Sequence, residues 1–158
     1  DYDKALDYFE RSFNIREELG DKKGMGSSLN KIGNTYFDTG DNKKAEEYLE
    51  KSLSIQKEIG LGADDLIWST TYLYLTYKHF GKDYDEKDIH SLIKDAENIE
   101  FEVNLRLYQL LDDTSYLETA YNQVQDKASE MEEETGKTFL SYPLPTAIVE
   151  EYEKVFKK

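Results

Sequence analysis

The chain has 158 residues with 20 Lys+Arg against 34 Asp+Glu, a formal net charge of -14, and no cysteine. That charge repels a phosphate backbone or an anionic bilayer, so nucleic acid and membrane are poor partners. Without cysteine there is no disulfide frame, thiolate metal site or cysteine nucleophile. No apolar run approaches the roughly 18 residues a spanning helix needs, and the N-terminus has no signal-peptide pattern. Cytoplasmic placement is the default expectation.

The first twenty residues, DYDKALDYFERSFNIREELG, return forty residues later as DNKKAEEYLEKSLSIQKEIG, with nine identities: Asp1/Asp41, Lys4/Lys44, Ala5/Ala45, Tyr8/Tyr48, Glu10/Glu50, Ser12/Ser52, Ile15/Ile55, Glu18/Glu58 and Gly20/Gly60. An ungapped fixed period in this range marks a repeat array. Asp1 already lies inside a repeat, so the chain reads as cut from a longer protein. Between the copies, Leu29, Ile32, Gly33 and Tyr36 recur at helical spacing until Gly40, which predicts a helix. Asp41 then reads as an N-cap, and Ala45, Tyr48, Leu49, Ser52, Leu53 and Ile55 form the apolar stripe of a second helix ending at Gly60. Gly33, Ala45 and Ser52 are small where helices must approach closely.

These residues, with the large Tyr36 and Leu49 and the Gly40-Asp41 turn, resemble the tetratricopeptide repeat. The 40-residue spacing is similar to the longer-helix variety found in kinesin light chains, spindle-orientation adaptors and bacterial signalling proteins, in which Lys57 stands where the family often has proline. The resemblance implies an all-α, right-handed superhelix of antiparallel helix pairs, acting as a non-catalytic protein-interaction module.

Beyond Gly60 the pattern decays. DDLIWSTTYLYLTYKHFG keeps Tyr77 and Gly81 but has Tyr74 in place of the small residue, which predicts a displaced or tilted partner helix. DEKDIHSLIKDAENI places Ile89, Leu92, Ile93 and Ala96 on one face. FEVNLRLYQLL and SYLETAYNQVQDKASEM read as a further pair joined through Asp112, Asp113 and Thr114. Pro143 and Pro145 are expected to break regular structure before a short helix with Ile148, Tyr152 and Val155. The expected organisation is one domain: residues 1–20 the second helix of a truncated repeat, 21–60 a full repeat, 61–98 and 99–136 degenerate repeats, and 137–158 a C-terminal cap. The stretch from Trp68 to Val155 also resembles the ends of repeat arrays in large bacterial regulators, some of which carry a nucleotide cyclase domain. No residue of a cyclase site is present.

Candidates for chemistry fail individually. ETGKT at Glu134–Thr138 has the tail of a phosphate loop, but Met131 occupies the first glycine position and three glutamates would repel phosphate. DYDEKD at Asp83–Asp88 lacks the central glycine and the bidentate glutamate of a calcium loop, which Asp88 and Lys94 replace. His79 and His90 have no carboxylate–histidine spacing typical of metal sites. Glu130–Glu134 reads as a solvated helix end. No cofactor, metal or catalytic residue is expected.

In stacked helix pairs the first helix of each pair lines the concave side. There Asn30, Asn34 and Phe37 flank the core stripe, followed by Trp68, Thr71 and Leu75 in the next repeat and Arg106 in the one after. Asparagine amides donate and accept, so Asn30 and Asn34 suit an extended backbone, while Trp68 and Leu75 read either as a pocket for an anchoring side chain or as buried packing. A protein or peptide partner, basic or neutral and amphipathic, fits the charge. The rival reading is a spacer or self-association unit regulating an enzyme elsewhere in the parent chain, such as a nucleotide cyclase. In that reading Ala5, Phe9 and Phe13 form the exposed edge of a homo-oligomer.

Overall fold

The computed structural model describes residues 1–157, which form nine helices and no strand among the described residues. They fall into two compact units, Asp1–Asn98 and Ile99–Lys158.

The first unit contains α1 (Tyr2–Glu18), α2 (Lys22–Thr39), α3 (Asn42–Glu58), α4 (Ala63–His79) and α5 (Glu86–Asp95). Its turns follow from paired punctuation. Gly20 and Gly40 take the left-handed conformation at φ +68° and +84° that closes a helix. The aspartate after each caps the next one: Asp21 accepts from the Gly24 amide at 2.9 Å and Asp41 from the Lys44 amide at 3.2 Å. α4 has no side-chain cap of its own. Its first-turn Asp64 instead accepts from the amides of Glu97 and Asn98, at 2.9 and 3.0 Å, tying the end of α5 to the start of α4.

Each helix packs on its chain neighbour, and α2 also touches α4, so the first helices of successive pairs lie side by side. The core gathers Ala45, Leu49, Leu53, Tyr72 and Leu73, flanked by Tyr36, Phe37, Leu66 and Trp68. Gly33 lets α2 and α3 close together: a Cβ there would stand 2.6 Å from Leu49 Cγ. Tyr74, which the sequence suggested would push its partner helix away, is accommodated at the side of α4. Its hydroxyl donates to Asp88 on α5 at 2.7 Å, and its ring stacks on Tyr84 at 5.2 Å.

The second unit contains α6 (Phe101–Leu111), α7 (Thr114–Ser129), α8 (Glu133–Leu140) and α9 (Pro143–Phe156). α7 is central and touches the other three, so Leu117, Ala120 and Val124 on α7 join Leu105 and Ile148 in a closed core. One expectation changes here. Pro143 starts α9 instead of interrupting structure, because proline at the first helical position gives up an N–H that has no intrahelical partner. The glutamate run is divided: α7 ends at Ser129, and Glu133 and Glu134 sit in the first turn of α8, where acidic side chains complement the helix dipole.

The Gly-Lys-Thr stretch therefore lies inside α8, and its glycine has a packing role. A Cβ on Gly136 would stand 2.6 Å from the Ala128 carbonyl oxygen, which is backbone and cannot swing aside. Gly136→Ala gains about 1 kcal/mol of helix propensity but forces α7 and α8 apart. The expected net result is a loss of about 1–3 kcal/mol, read by urea unfolding of the second unit's helices.

Candidate functional site

The candidate site is built where α2 and α4 run together. Asn30 is buried on α2, and its Nδ2 donates to Ser69 Oγ of α4 at 2.6 Å. Asn34, one turn on, donates its Nδ2 to Asn30 Oδ1 at 3.1 Å. Inward, Ser52 of α3 donates to the Gly26 carbonyl at 2.8 Å and lies 3.4 Å from Ser69 Oγ. The donor sense of this line is set at its inner end. A carbonyl can only accept, so the Ser52 proton is committed to Gly26 and Ser69 supplies the proton between the two hydroxyls. Ser69 then accepts from Asn30, and Asn30 accepts from Asn34. What remains at the outer end is Asn34 Oδ1, enclosed and without a donor.

Phe37 continues the α2 row. Its ring meets Tyr72 edge-on at 5.4 Å and stacks on His79 at 5.4 Å and 12°. Trp68 is half-buried against the same core as Phe37. The structure thus leaves Asn34, Phe37 and Trp68 half-buried on α2 and α4, Phe37 and Trp68 against one core and Asn34 bonded to the buried Asn30.

Other expected positions lie elsewhere. Thr71 and Leu75 are buried, and α4 is enclosed on nearly every side from Ile67 to Thr76. A helix apolar all round is a core helix, and the hydroxyls of α4 do not contradict this. Thr71 donates to the Ile67 carbonyl at 2.6 Å and Thr76 to that of Tyr72 at 2.8 Å, so both are satisfied by their own helix. Thr71 and Leu75 therefore present no surface to a partner in this conformation. Arg106 belongs to α6 in the second unit, half-buried, with Nη1 donating to Gln109 at 3.2 Å.

The expected apolar edge on α1 also changes. Ala5, Phe9 and Phe13 are half-buried because they turn toward α2, where Lys31 Nζ lies 5.6 Å from the Phe9 ring centre. Tyr2, Tyr8, Ile15 and Leu19 are the exposed apolar residues of α1. Between α1 and α3 runs a separate groove of about 580 Å³ floored by Leu29 and Ile32.

Tyrosines hold much of the rim. Tyr77 donates to Glu50 at 2.7 Å across α4 and α3. Burial, followed by these carboxylate bonds, raises the Tyr77 and Tyr74 hydroxyls well above the ordinary tyrosine value. In the second unit Tyr108 donates to Glu151 at 3.0 Å. A hydrogen bond from Lys154, then that from Tyr108, holds the Glu151 carboxyl below the usual range. These pairs fasten neighbouring helices. Among the described residues no group of three or more histidines or carboxylates could hold a metal ion, and no helix is long and apolar enough to cross a membrane.

Residues 1–58 match a model of the tetratricopeptide repeat. The match makes this N-terminal segment similar to the tetratricopeptide repeat family. The match ends with α3. Tetratricopeptide repeats are non-catalytic and mediate protein–protein interaction. No curated protein and no solved structure matches the chain.

Proposed function

We propose that the chain is a non-catalytic interaction module whose tetratricopeptide segment receives a peptide or protein segment along the α2–α4 junction. The observation that carries this reading is the row of Asn34, Phe37 and Trp68 over the Asn30–Ser69 bond, polar and aromatic groups held on a rigid seam. Asn34 meets the segment as an acceptor, since its amide nitrogen is already spent on Asn30. Meeting a donor N–H turns the Asn34 amide outward and exchanges its bond to Asn30 for one to the segment. Phe37 and Trp68 supply aromatic anchor surface of the kind that dominates peptide recognition. The net charge of -14 favours a basic or neutral amphipathic segment over an acidic one.

Trp68 is the chain's one tryptophan, so its emission reports on this seam directly. Titration with a cationic amphipathic peptide is expected to shift Trp68 emission saturably, while an acidic peptide of the same apolar pattern leaves it unchanged. Asn34→Ala with Phe37→Ala is expected to weaken the response at least tenfold. Equal affinity in that variant would remove the reading.

A further inference from the structure

We propose that the groove between α1 and α3 is a second docking site, separate from the α2–α4 seam, for a basic peptide segment that inserts one tyrosine and donates its hydroxyl to Glu10. The groove has a volume of about 580 Å³, which is ordinary for a ligand site. Its walls and floor all come from residues 10–55, so it is complete within the chain. α2 supplies the floor through Leu29 and Ile32, which are not the residues it presents to the seam. Phe13 of α1 and Ile55 of α3 add apolar wall, and Glu10 stands at the α1 edge.

The internal repeat shows what Glu10 lacks. Its counterpart one period on is Glu50, which accepts from the Tyr77 hydroxyl of α4 at 2.7 Å. Tyr77 stands four residues before the closing Gly81, and the α2 residue four before the closing Gly40 is Tyr36. Tyr36 is turned to α3 instead: its ring stacks on Tyr48 at 5.6 Å and lies under Lys44 Nζ at 4.8 Å. Among the described residues no side chain donates to Glu10. The cation that lines the groove, Lys51, is held by Glu47 at 2.7 Å. Burial, then Tyr36 and the Glu10 carboxylate, raises the Tyr48 hydroxyl above the ordinary tyrosine value, so the charge of Glu10 reaches the opposite wall.

A carboxylate at the edge of an apolar floor calls for a donor on an apolar body. A phenol is the group this chain itself sets there, at Glu50 through Tyr77, and it does the same at Asp88 through Tyr74 and at Glu151 through Tyr108. The net charge of -14 asks for lysine or arginine beside that tyrosine and disfavours a second copy.

The test uses the whole chain and, as probe, the fluorescently labelled synthetic peptide Gly-Lys-Ala-Tyr-Ala-Lys-Gly, followed by anisotropy. Saturable binding is expected. Glu10→Ala should weaken it about tenfold, the worth of a hydrogen bond to a charged group. Ser54→Phe, which fills the groove from its α3 wall, should abolish it. Glu10 and Ser54 are exposed, so both variants keep the fold, which circular dichroism checks. Phenylalanine in place of the peptide tyrosine should cost about tenfold against the unaltered chain and nothing further against Glu10→Ala, the coupling that a direct bond requires. Asn34→Ala with Phe37→Ala should leave this binding unchanged, so failure here and failure of the α2–α4 reading are distinguishable. Absence of saturable binding, equal affinity of the Glu10→Ala variant, or additive losses of the two partners overturns the proposal. So does equal binding of a peptide with glutamate in place of both lysines. Loss of binding in the Asn34→Ala, Phe37→Ala variant alone assigns the peptide to the seam, and a concentration-dependent dimer that Ser54→Phe abolishes gives the groove to a second copy; either result overturns it as well.

Discussion

Leu49→Ala is expected to lower the unfolding free energy of the first unit by about 3–5 kcal/mol. Leu49 is wholly buried at the centre of the core shared by α2, α3 and α4. Its truncation removes apolar contact and leaves a cavity between α2, α3 and α4. The same geometry gives a compensating partner. Gly33→Ala alone puts a methyl 2.6 Å from Leu49 Cγ and should destabilise, but beside Leu49→Ala it enters the space the leucine vacated. The double variant is therefore expected to be more stable than Leu49→Ala alone. Urea unfolding followed by Trp68 fluorescence, which reports on this unit, measures both terms. Additive losses would show that Gly33 and Leu49 do not share that space.

The second large effect separates two asparagines that look alike in sequence. Asn30→Ala strips Ser69 of its donor and leaves the Asn34 amide nitrogen without its acceptor, at a half-buried position. Each stranded polar group costs about 1–3 kcal/mol, so a total loss of about 2–4 kcal/mol is expected. Asn34→Ala ends the line one residue earlier and also removes an oxygen that already lacks a donor, so its cost should stay below about 1 kcal/mol. In binding the order reverses: Asn34 is the group a partner meets, and Asn30 acts through the stability of the seam. Chemical unfolding of the two single variants decides this, and equal losses would contradict the donor sense deduced from Gly26.

The 40-residue period made α1 to α3 legible because each repeat writes its own punctuation, a glycine that closes one helix and an aspartate that caps the next. Past Gly60 the reading thinned for a physical reason. Ser69, Thr70, Thr71 and Thr76 are polar by residue type, so α4 looked two-faced. In the folded chain Thr71 and Thr76 bond back to their own helix, Ser69 receives Asn30, and the helix is core over most of Ile67 to Thr76. Thr71, expected on the concave stripe, is buried for that reason, and Leu75 takes the buried one of its two readings. α8 escaped notice because its glycine was read within the tail of a phosphate loop, whereas its task is to let α8 approach the Ala128 carbonyl. Pro143 and Pro145 were legible as an interruption but not as a start.

The exposed face of α1 was misplaced onto Ala5, Phe9 and Phe13. The signal for the true face was present among the nine matched positions, since Tyr8 and Ile15 repeat as Tyr48 and Ile55. What sequence could not supply was which helix Tyr48 and Ile55 touch. Once Tyr36 and Gly26 are seen against them, the open side of α1 follows by translation along the repeat.

The most direct test of the interaction-module account is affinity capture from source-cell lysate with the 158-residue chain as bait, beside a bait carrying Asn34→Ala and Phe37→Ala, with bound proteins identified by mass spectrometry. The account predicts a basic or amphipathic partner recovered by the wild type and lost from the variant. Recovery of the same proteins by both baits would contradict recognition along the α2–α4 seam.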